Sequence, residues 1–384
     1  MSKRKGNLLV ATLVAVIVLV LVLSCAPAQP ISPPAISTPI AATPAPITTP
    51  VATSEDAAWA KVVAAAKKEG VVTVYSFYYV GDTGRALAKA FQERYGIRVE
   101  ILASSGRQTV EKIRVEQAIK QPVADVVNAG TSSSTEISIA GFGENVSQEI
   151  PNLKDRSVFL VDPVYSPKGD VLFTSLDYVT PAVNTNLVKP ADEPKSFKDF
   201  LDPKWKGHLL AVDPRGGGGG VFNIIATMRY FKILDDDYWR QLAPQMVYFG
   251  ALQEQFRAVG RGEFKVALDA SVSTILPLIA EGAPLKLVPL DEGTITQGES
   301  TIVIKGAPHP NAAKLFADWI LSAEGQEVYV KAASLSSMRK GVPSYIIPAA
   351  KLTPKKIVNR TWDAAQASND YLKAGVMDQI FGKK

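Results

Sequence analysis

Residues 70–102 read GVVTVYSFYYVGDTGRALAKAFQERYGIRVEIL, and the period of their apolar positions changes twice. Val71 to Tyr75 is a short β-branched run, too apolar for an exposed strand. From Thr83 to Tyr95 the spacing of Leu87, Ala90, Phe91 and Tyr95 predicts a helix, and Gly96 marks its stop. Ile97 to Leu102 returns to a strand pattern. Strand, helix and strand at this spacing suit a right-handed βαβ unit, which implies a parallel sheet.

The same alternation extends outward. Ser54-Glu55-Asp56 opens a helix with a cap residue and two acids against its positive end, and Gly70 stops it. A helix over Val110–Ile119 and a third strand, Ala124-Asp125-Val126-Val127, complete the first pattern. Val158 to Val188 then reads as strands and turns, including an extended run from Leu176 to Asn184 that contains Pro181. A second α/β pattern follows: strand Leu209–Val212, helices Val221–Tyr230 and Tyr238–Met246, strand Phe264–Leu268, helix Val272–Ala280, strand Leu285–Val288. The expected fold class is α/β in two lobes, each a mostly parallel sheet flanked by helices. Extended hinge segments near Tyr178–Asn184 and Asp291–Ser300 join them. The expected division is lobe one over 54–180, lobe two over 181–292, and a return crossover with C-terminal helices over 293–384.

Composition narrows the function. The 384 residues are 47% apolar and 21% charged, enough to build a sizeable core. One cysteine excludes an internal disulfide framework or a thiolate zinc cluster, and two histidines leave little for an imidazole metal site. The net charge of +5 owes three units to Lys3, Arg4 and Lys5. Without them the cations fall from 42 to 39 against 37 acids, a net of +2 and no nucleic-acid footprint.

Those three cations begin an address. Leu8 to Leu23 is apolar apart from Thr12, and Cys25, the only cysteine, follows Ser24. Residues 1–24 resemble a bacterial lipoprotein signal, which implies cleavage before Cys25 and a lipid on its sulfur. The other reading is an uncleaved anchor; both place the remainder outside the cytoplasmic membrane. Residues 25–53 carry eight prolines and no charge, the composition of an extended tether. Fully stretched at roughly 3.1 Å per residue, it reaches about 90 Å.

Ligands of open parallel sheets bind beyond the carboxyl ends of strands. The chain after each strand reads Tyr75-Ser76-Phe77-Tyr78-Tyr79, Ala103-Ser104-Ser105-Gly106-Arg107, Asn128-Ala129-Gly130-Thr131-Ser132, Asp213-Pro214-Arg215 with Gly216 to Gly220, and Asp269-Ala270-Ser271. Hydroxyls and free N–H groups at helix starts favour an anion, and arginines add charge-assisted bonds. The candidate ligand-binding residues are therefore Tyr78, Tyr79, Ser104, Ser105, Arg107, Thr131, Ser132, Arg215, Gly217, Gly218, Asp269 and Ser271. The bland alternative is helix caps and flexible turns. Asp213 and Asp269 are the features that would favour a cation instead. Enzyme motifs fail: Gly216–Gly220 continues Val221-Phe222-Asn223, which is neither a P-loop nor a dinucleotide fingerprint. Gly130-Thr131-Ser132-Ser133-Ser134 lacks the closing glycine of a nucleophile elbow. No catalytic residue, metal site or cofactor is expected.

A resemblance rests on other residues. Val183-Asn184-Thr185-Asn186-Leu187-Val188, then Phe197-Lys198-Asp199-Phe200-Leu201-Asp202-Pro203-Lys204-Trp205-Lys206-Gly207, resemble the solute-binding proteins of ABC importers, in the family that includes ferric-iron-binding proteins. Gly262-Glu263, Pro310 to Ser322 and Glu324-Gly325-Gln326 agree in order, over about residues 70–330. The resemblance implies a periplasmic-binding-protein-like fold that closes on a small molecule or ion and hands it to membrane permease subunits. We expect a monomer, lipid-anchored at the outer face of the cytoplasmic membrane or in the periplasm. Ferric-binding members hold iron with adjacent tyrosines where this chain reads Asp269-Ala270-Ser271-Val272-Ser273-Thr274, so the expected solute is an anion. Ferric iron or an iron chelate, and an exported hydrolase, remain the alternatives.

Cys25→Ala is expected to leave the precursor unprocessed by the lipoprotein peptidase. Unchanged lipid labelling and unchanged mass in that variant would refute the lipidation reading.

Overall fold

The computed structural model describes residues 54–160, 164–217, 220–249, 252–346, 348 and 351–383. The signal, the tether, Cys25 and Gly218 lie outside them. The strands are β1 (Val71–Ser76), β2 (Arg98–Ala103), β3 (Val126–Gly130), β4 (Leu172–Asn184), β5 (Leu209–Val212), β6 (Met246–Phe249), β7 (Val266–Ser271), β8 (Leu285–Leu287), β9 (Thr294–Val303), β10 (Ser336–Ser337) and β11 (Ile357–Val358). The α-helices are α1 (Ser54–Glu69), α2 (Gly81–Tyr95), α3 (Gly106–Ala118), α4 (Thr131–Ile139), α5 (Val221–Tyr230), α6 (Asp236–Leu242), α7 (Leu252–Gly260), α8 (Val272–Ala280), α9 (Pro310–Leu321), α10 (Ala323–Ala333), α11 (Trp362–Lys373) and α12 (Val376–Phe381). Among the described residues no helix is long and apolar enough to cross a membrane.

The sheet runs β2-β1-β3-β9-β4-β7-β5-β6. Its two ends are parallel triplets, β2-β1-β3 and β7-β5-β6, one in each lobe. Between them β9 and β4 pair antiparallel, from Leu172↔Thr301 to Val179↔Ile295. The segments read as hinges, Tyr178–Asn184 and Asp291–Ser300, fall in and beside these two strands. Pro181 marks where β4 changes partners: the register with β7 shifts between Thr180 and Ala182, and β8 pairs from Ala182 onward. A proline has no N–H for the ladder, so it sits where the ladder is already broken.

Lobe one packs on aromatic rings. Phe91, Phe316 and Trp319 meet with ring centroids 5.2, 5.4 and 6.0 Å apart. The helix-stop glycine acts as read: Gly96 is left-handed at φ 74° and returns its N–H to Gln92. In lobe two, Ser196 and Asp202 cap two short 3₁₀ turns that bury Phe197, Phe200 and Trp205. The run Leu201 to Gly207 is therefore a packing device. Tyr238 joins it, donating to the Phe197 carbonyl at 2.6 Å.

Two readings are corrected. The helix expected over Tyr238–Met246 ends at Leu242, because Pro244 stops it; Met246–Phe249 is then strand β6, followed by α7. The strand read as Phe264–Leu268 runs on to Ser271 as β7, which places Asp269 inside the sheet.

Gln326, from the run Glu324-Gly325-Gln326, is fully buried. Its Nε2 donates to the carbonyls of Thr174 and Ile320 at 2.7 and 2.8 Å. Its Oε1 accepts from Ser337 Oγ and Met338 N at 2.6 and 3.1 Å. Gln326→Leu preserves volume but strands four buried groups, an expected cost of about 3 kcal/mol or more. A denaturation midpoint equal to that of the wild type would show that these groups find other partners.

Candidate functional site

A cleft of about 670 Å³ opens where the carboxyl ends of both parallel triplets face each other. Lobe one supplies Phe77 and Tyr78 after β1, Ser105, Gly106 and Arg107 at the start of α3, and Ser132 and Ser133 at the start of α4. Lobe two supplies Gly216, Gly217, Gly220, Phe222 and Asn223 around the start of α5. Val110, Glu111 and Arg114 of α3, Glu136 of α4, Gln297 of β9, and Asn369 and Leu372 of α11 complete the lining. The helix α11 packs on both α4 and α5, so the C-terminal segment spans the two lobes.

Local chemistry explains these positions. After β1, Ser76 Oγ accepts from Tyr78 N and Tyr79 N at 3.0 and 2.7 Å, turning the chain sharply. The starts of α3 and α4 nearly touch: a Cβ on Gly106 would lie 2.5 Å from Ser133 Oγ. Ser105 closes a capping box with Gln108. Gly130 and Gly220 stand at the N-caps of α4 and α5, so neither start has a side-chain cap. A Cβ on Gly130 would come within 3.0 Å of Tyr78 Oη.

The structure gathers five of the sequence-read candidates at this cleft: Tyr78, Ser105, Arg107, Ser132 and Gly217. Gly218 lies outside the described residues, and the remaining six stand elsewhere. Tyr79 turns inward, edge-on to Tyr329 with centroids 4.9 Å apart, because neighbours after the Ser76 turn face opposite ways. Ser104 is buried and outside the lining. Thr131 Oγ1 donates to the Gly298 carbonyl at 3.0 Å, fastening α4 to β9. Ser271 Oγ donates to Asp177 Oδ2 at 2.5 Å behind the cleft floor.

The charged candidates change most. Arg215 holds Asp213 with a two-pronged grip, Nε at 2.8 Å and Nη2 at 2.9 Å, and stacks over Tyr248. That hydrogen bonding raises the guanidinium pKa and leaves its charge neutralised, outside the cleft lining. Asp269 is fully buried; its Oδ2 accepts from Val212 N at 3.1 Å and Val221 N at 2.8 Å, and Oδ1 accepts from Gln255. Burial pushes its pKa up to about 6 against these bonds. It ties β5, α5 and α7 to β7.

Residues outside the sequence-read set also line the cleft. Asn223 is 6% exposed; its Nδ2 donates to Gln297 Oε1 at 3.2 Å, while its Oδ1 has no partner. Asn369 is 7% exposed, and its Nδ2 has no partner. Asn223 has a sequence signal, as the one polar residue in Val221-Phe222-Asn223-Ile224-Ile225-Ala226. Asn369 has none, because its place depends on where α11 docks. Arg114 and Glu111 pair at 3.0 Å on the rim, whereas Arg107 has no ion-pair partner among the described residues. Burial, then the charges of Glu299 and Asp177, raise the Tyr78 pKa and keep its phenol protonated. Among the described residues no group of three or more His, Cys, Asp or Glu is placed to hold a metal ion.

Comparisons with known proteins agree with this fold. Residues 86–356 match the family model described as bacterial extracellular solute-binding protein. An uncharacterised Haemophilus influenzae protein is 28% identical over 247 residues, which cover 62% of this chain and 70% of that one. The fold is similar to the periplasmic binding protein AfuA from Actinobacillus pleuropneumoniae with exogenous fructose-6-phosphate bound: TM-score 0.66, 24% identity, 81% of this chain and 99% of that one. It is equally similar to iron-bound HitA from Pseudomonas aeruginosa: TM-score 0.66, 23% identity, 82% and 99% of the two chains.

Gly220 has φ 55°, and a Cβ there would strike the Asp269 carboxylate. Gly220→Ala is expected to cost about 1–2 kcal/mol from backbone strain alone, and more from the displaced carboxylate. An unfolding midpoint within error of the wild type would contradict this.

Proposed function

The chain belongs to the bacterial extracellular solute-binding protein family, and from that premise we propose that the cleft captures a small hydroxylated anion of the sugar-phosphate kind. Solute-binding proteins of this family serve ABC importers, outside the cytoplasmic membrane, and carry solute to the permease subunits. The observation that carries the finer reading is the pair of unpartnered amide atoms on Asn369 and Asn223. Asn369 Nδ2 is a donor awaiting an acceptor oxygen. Asn223 Oδ1 is an acceptor awaiting a hydroxyl. A ligand that supplied neither would leave both unsatisfied on closure. The uncapped start of α4, with Ser132 and Arg107 beside it, favours negative charge.

Iron-bound relatives share the fold, but the donor set here favours the anion. A ferric ion prefers phenolate and carboxylate oxygens; among the described residues the tyrosine bordering the cleft has its proton held by burial, Glu111 is paired with Arg114, and Glu136 stands exposed and alone. On this reading the protein is a monomer, divided at 54–180, 181–292 and 293–384, that closes about β4 and β9 and releases its solute unchanged. Lipid on Cys25 holds it at the membrane through the Pro-rich tether.

Calorimetry with a hexose phosphate, the parent hexose, inorganic phosphate and ferric citrate tests the reading. The phosphorylated sugar should bind most tightly. Asn369→Leu should weaken it by about tenfold or more, and Arg107→Ala by several-fold. Tight ferric binding with no response to the sugar phosphate would overturn the proposal.

A further inference from the structure

A second cavity, of about 350 Å³, shares no lining residue with the cleft. Its walls are apolar: Phe173 and Leu176 of β4, Met338, Trp362, and the edge-to-face pair Tyr230–Phe231 at the end of α5. One cation borders it, Arg360, just before α11. The Arg360 guanidinium has only hydroxyl partners: Nη2 donates to Ser368 Oγ at 3.0 Å and to Ser132 Oγ at 3.4 Å. Its Nε is buried with no partner. Among the described residues no carboxylate lies within ion-pair distance. Asp363, the acid at the cavity edge, is exposed and does not reach it. Burial lowers the Arg360 pKa to about 10, so it stays charged at neutral pH.

A desolvated guanidinium without a counter-charge is costly, and an anion that reached Nε would relieve that cost. The other polar groups in the cavity define which anion. Thr131 Oγ1 is committed to the Gly298 carbonyl, and Thr296 Oγ1 accepts from the Arg360 backbone N–H. Ser175 Oγ is the one lining hydroxyl found buried without a partner, so a phosphate dianion would find a single cation and little else to neutralise it. A single carboxylate matches the planar fork of one arginine, and the aromatic walls suit an apolar body. We propose that this cavity is a second ligand site, which takes an aryl or branched aliphatic monocarboxylate on Arg360. Phe173 and Tyr230 belong to opposite lobes, so the occupant bridges them beside the crossing strands.

The test titrates the whole chain with phenylacetate and 4-methylpentanoate, by calorimetry and by the fluorescence of Trp362 in the cavity wall. The uncharged analogue 2-phenylethanol is the control. Both acids should saturate, the alcohol should bind at least about tenfold more weakly, and Arg360→Gln should lose about tenfold or more of the acid affinity. The acid-versus-alcohol comparison needs no variant, so it decides even if Arg360→Gln does not fold. Equal binding of acid and alcohol, or no saturable binding, overturns the proposal. So does loss of the response in Arg107→Ala rather than Arg360→Gln, which would place the acid in the cleft.

Discussion

The antiparallel pairing of β4 with β9 is the constraint on which the rest depends. Each strand is shared: β3 hangs on β9, β7 hangs on β4, and each parallel triplet extends outward from one of them. Ladder hydrogen bonds at the centre of a sheet cannot slip by one residue without turning every side chain to the wrong face. Two buried acids, Asp177 and Glu299, stand on these strands. Asp177 accepts from Ser271, Ser273, Gln297 and its neighbour's N–H. Burial still raises its pKa, and burial followed by the Asp177 charge raises that of Glu299 well above normal. The crossing is thus a polar centre between two apolar cores.

Much of this was legible in the chain. Alternating strands and helices with glycine stops gave the lobe-one triplet and β5 and β7 of lobe two, while β6 was missed because Tyr238–Met246 reads as one helix. The extended run around Pro181 gave one crossing strand, because a proline there fits only where the ladder changes partner. The late helices entered only through the family resemblance of Pro310 to Ser322 and Glu324-Gly325-Gln326. What failed were local ends. Reading β7 as finishing at Leu268 put Asp269 at the cleft as a ligand-binding residue, when the strand runs three residues further and buries it. Reading Tyr78 and Tyr79 as a pair overlooked the Ser76 turn, which sends one to the cleft and the other against Tyr329.

Charge was the least legible property, because a sequence does not show which partner a side chain finds. Arg215 and Arg360 look alike in the chain. One is answered by an aspartate two residues away, which short-range reading could have paired. The other follows a β-strand in the C-terminal segment and meets only serines. Asn369 is hidden for the same reason: its neighbours come from α4 and α5, far away in sequence. A binding surface assembled from three distant segments is decided by tertiary packing.

The helix α11 also has mechanical consequences. Its first residue, Trp362, is embedded among Val110, Ile113 and Ile137 of lobe one. Near its other end Tyr371 lies under the Arg229 guanidinium, 4.2 Å from the ring centre. There α12 adds buried Val376, Met377 and Ile380 to the lobe-two core. At roughly 1.5–3 kcal/mol for each buried aliphatic chain, the three chains of the second end together match or exceed the one indole of the first. On the proposed closure about the crossing strands, this helix is strained between its two anchors, one indole on the lobe-one side and the α12 cluster on the lobe-two side.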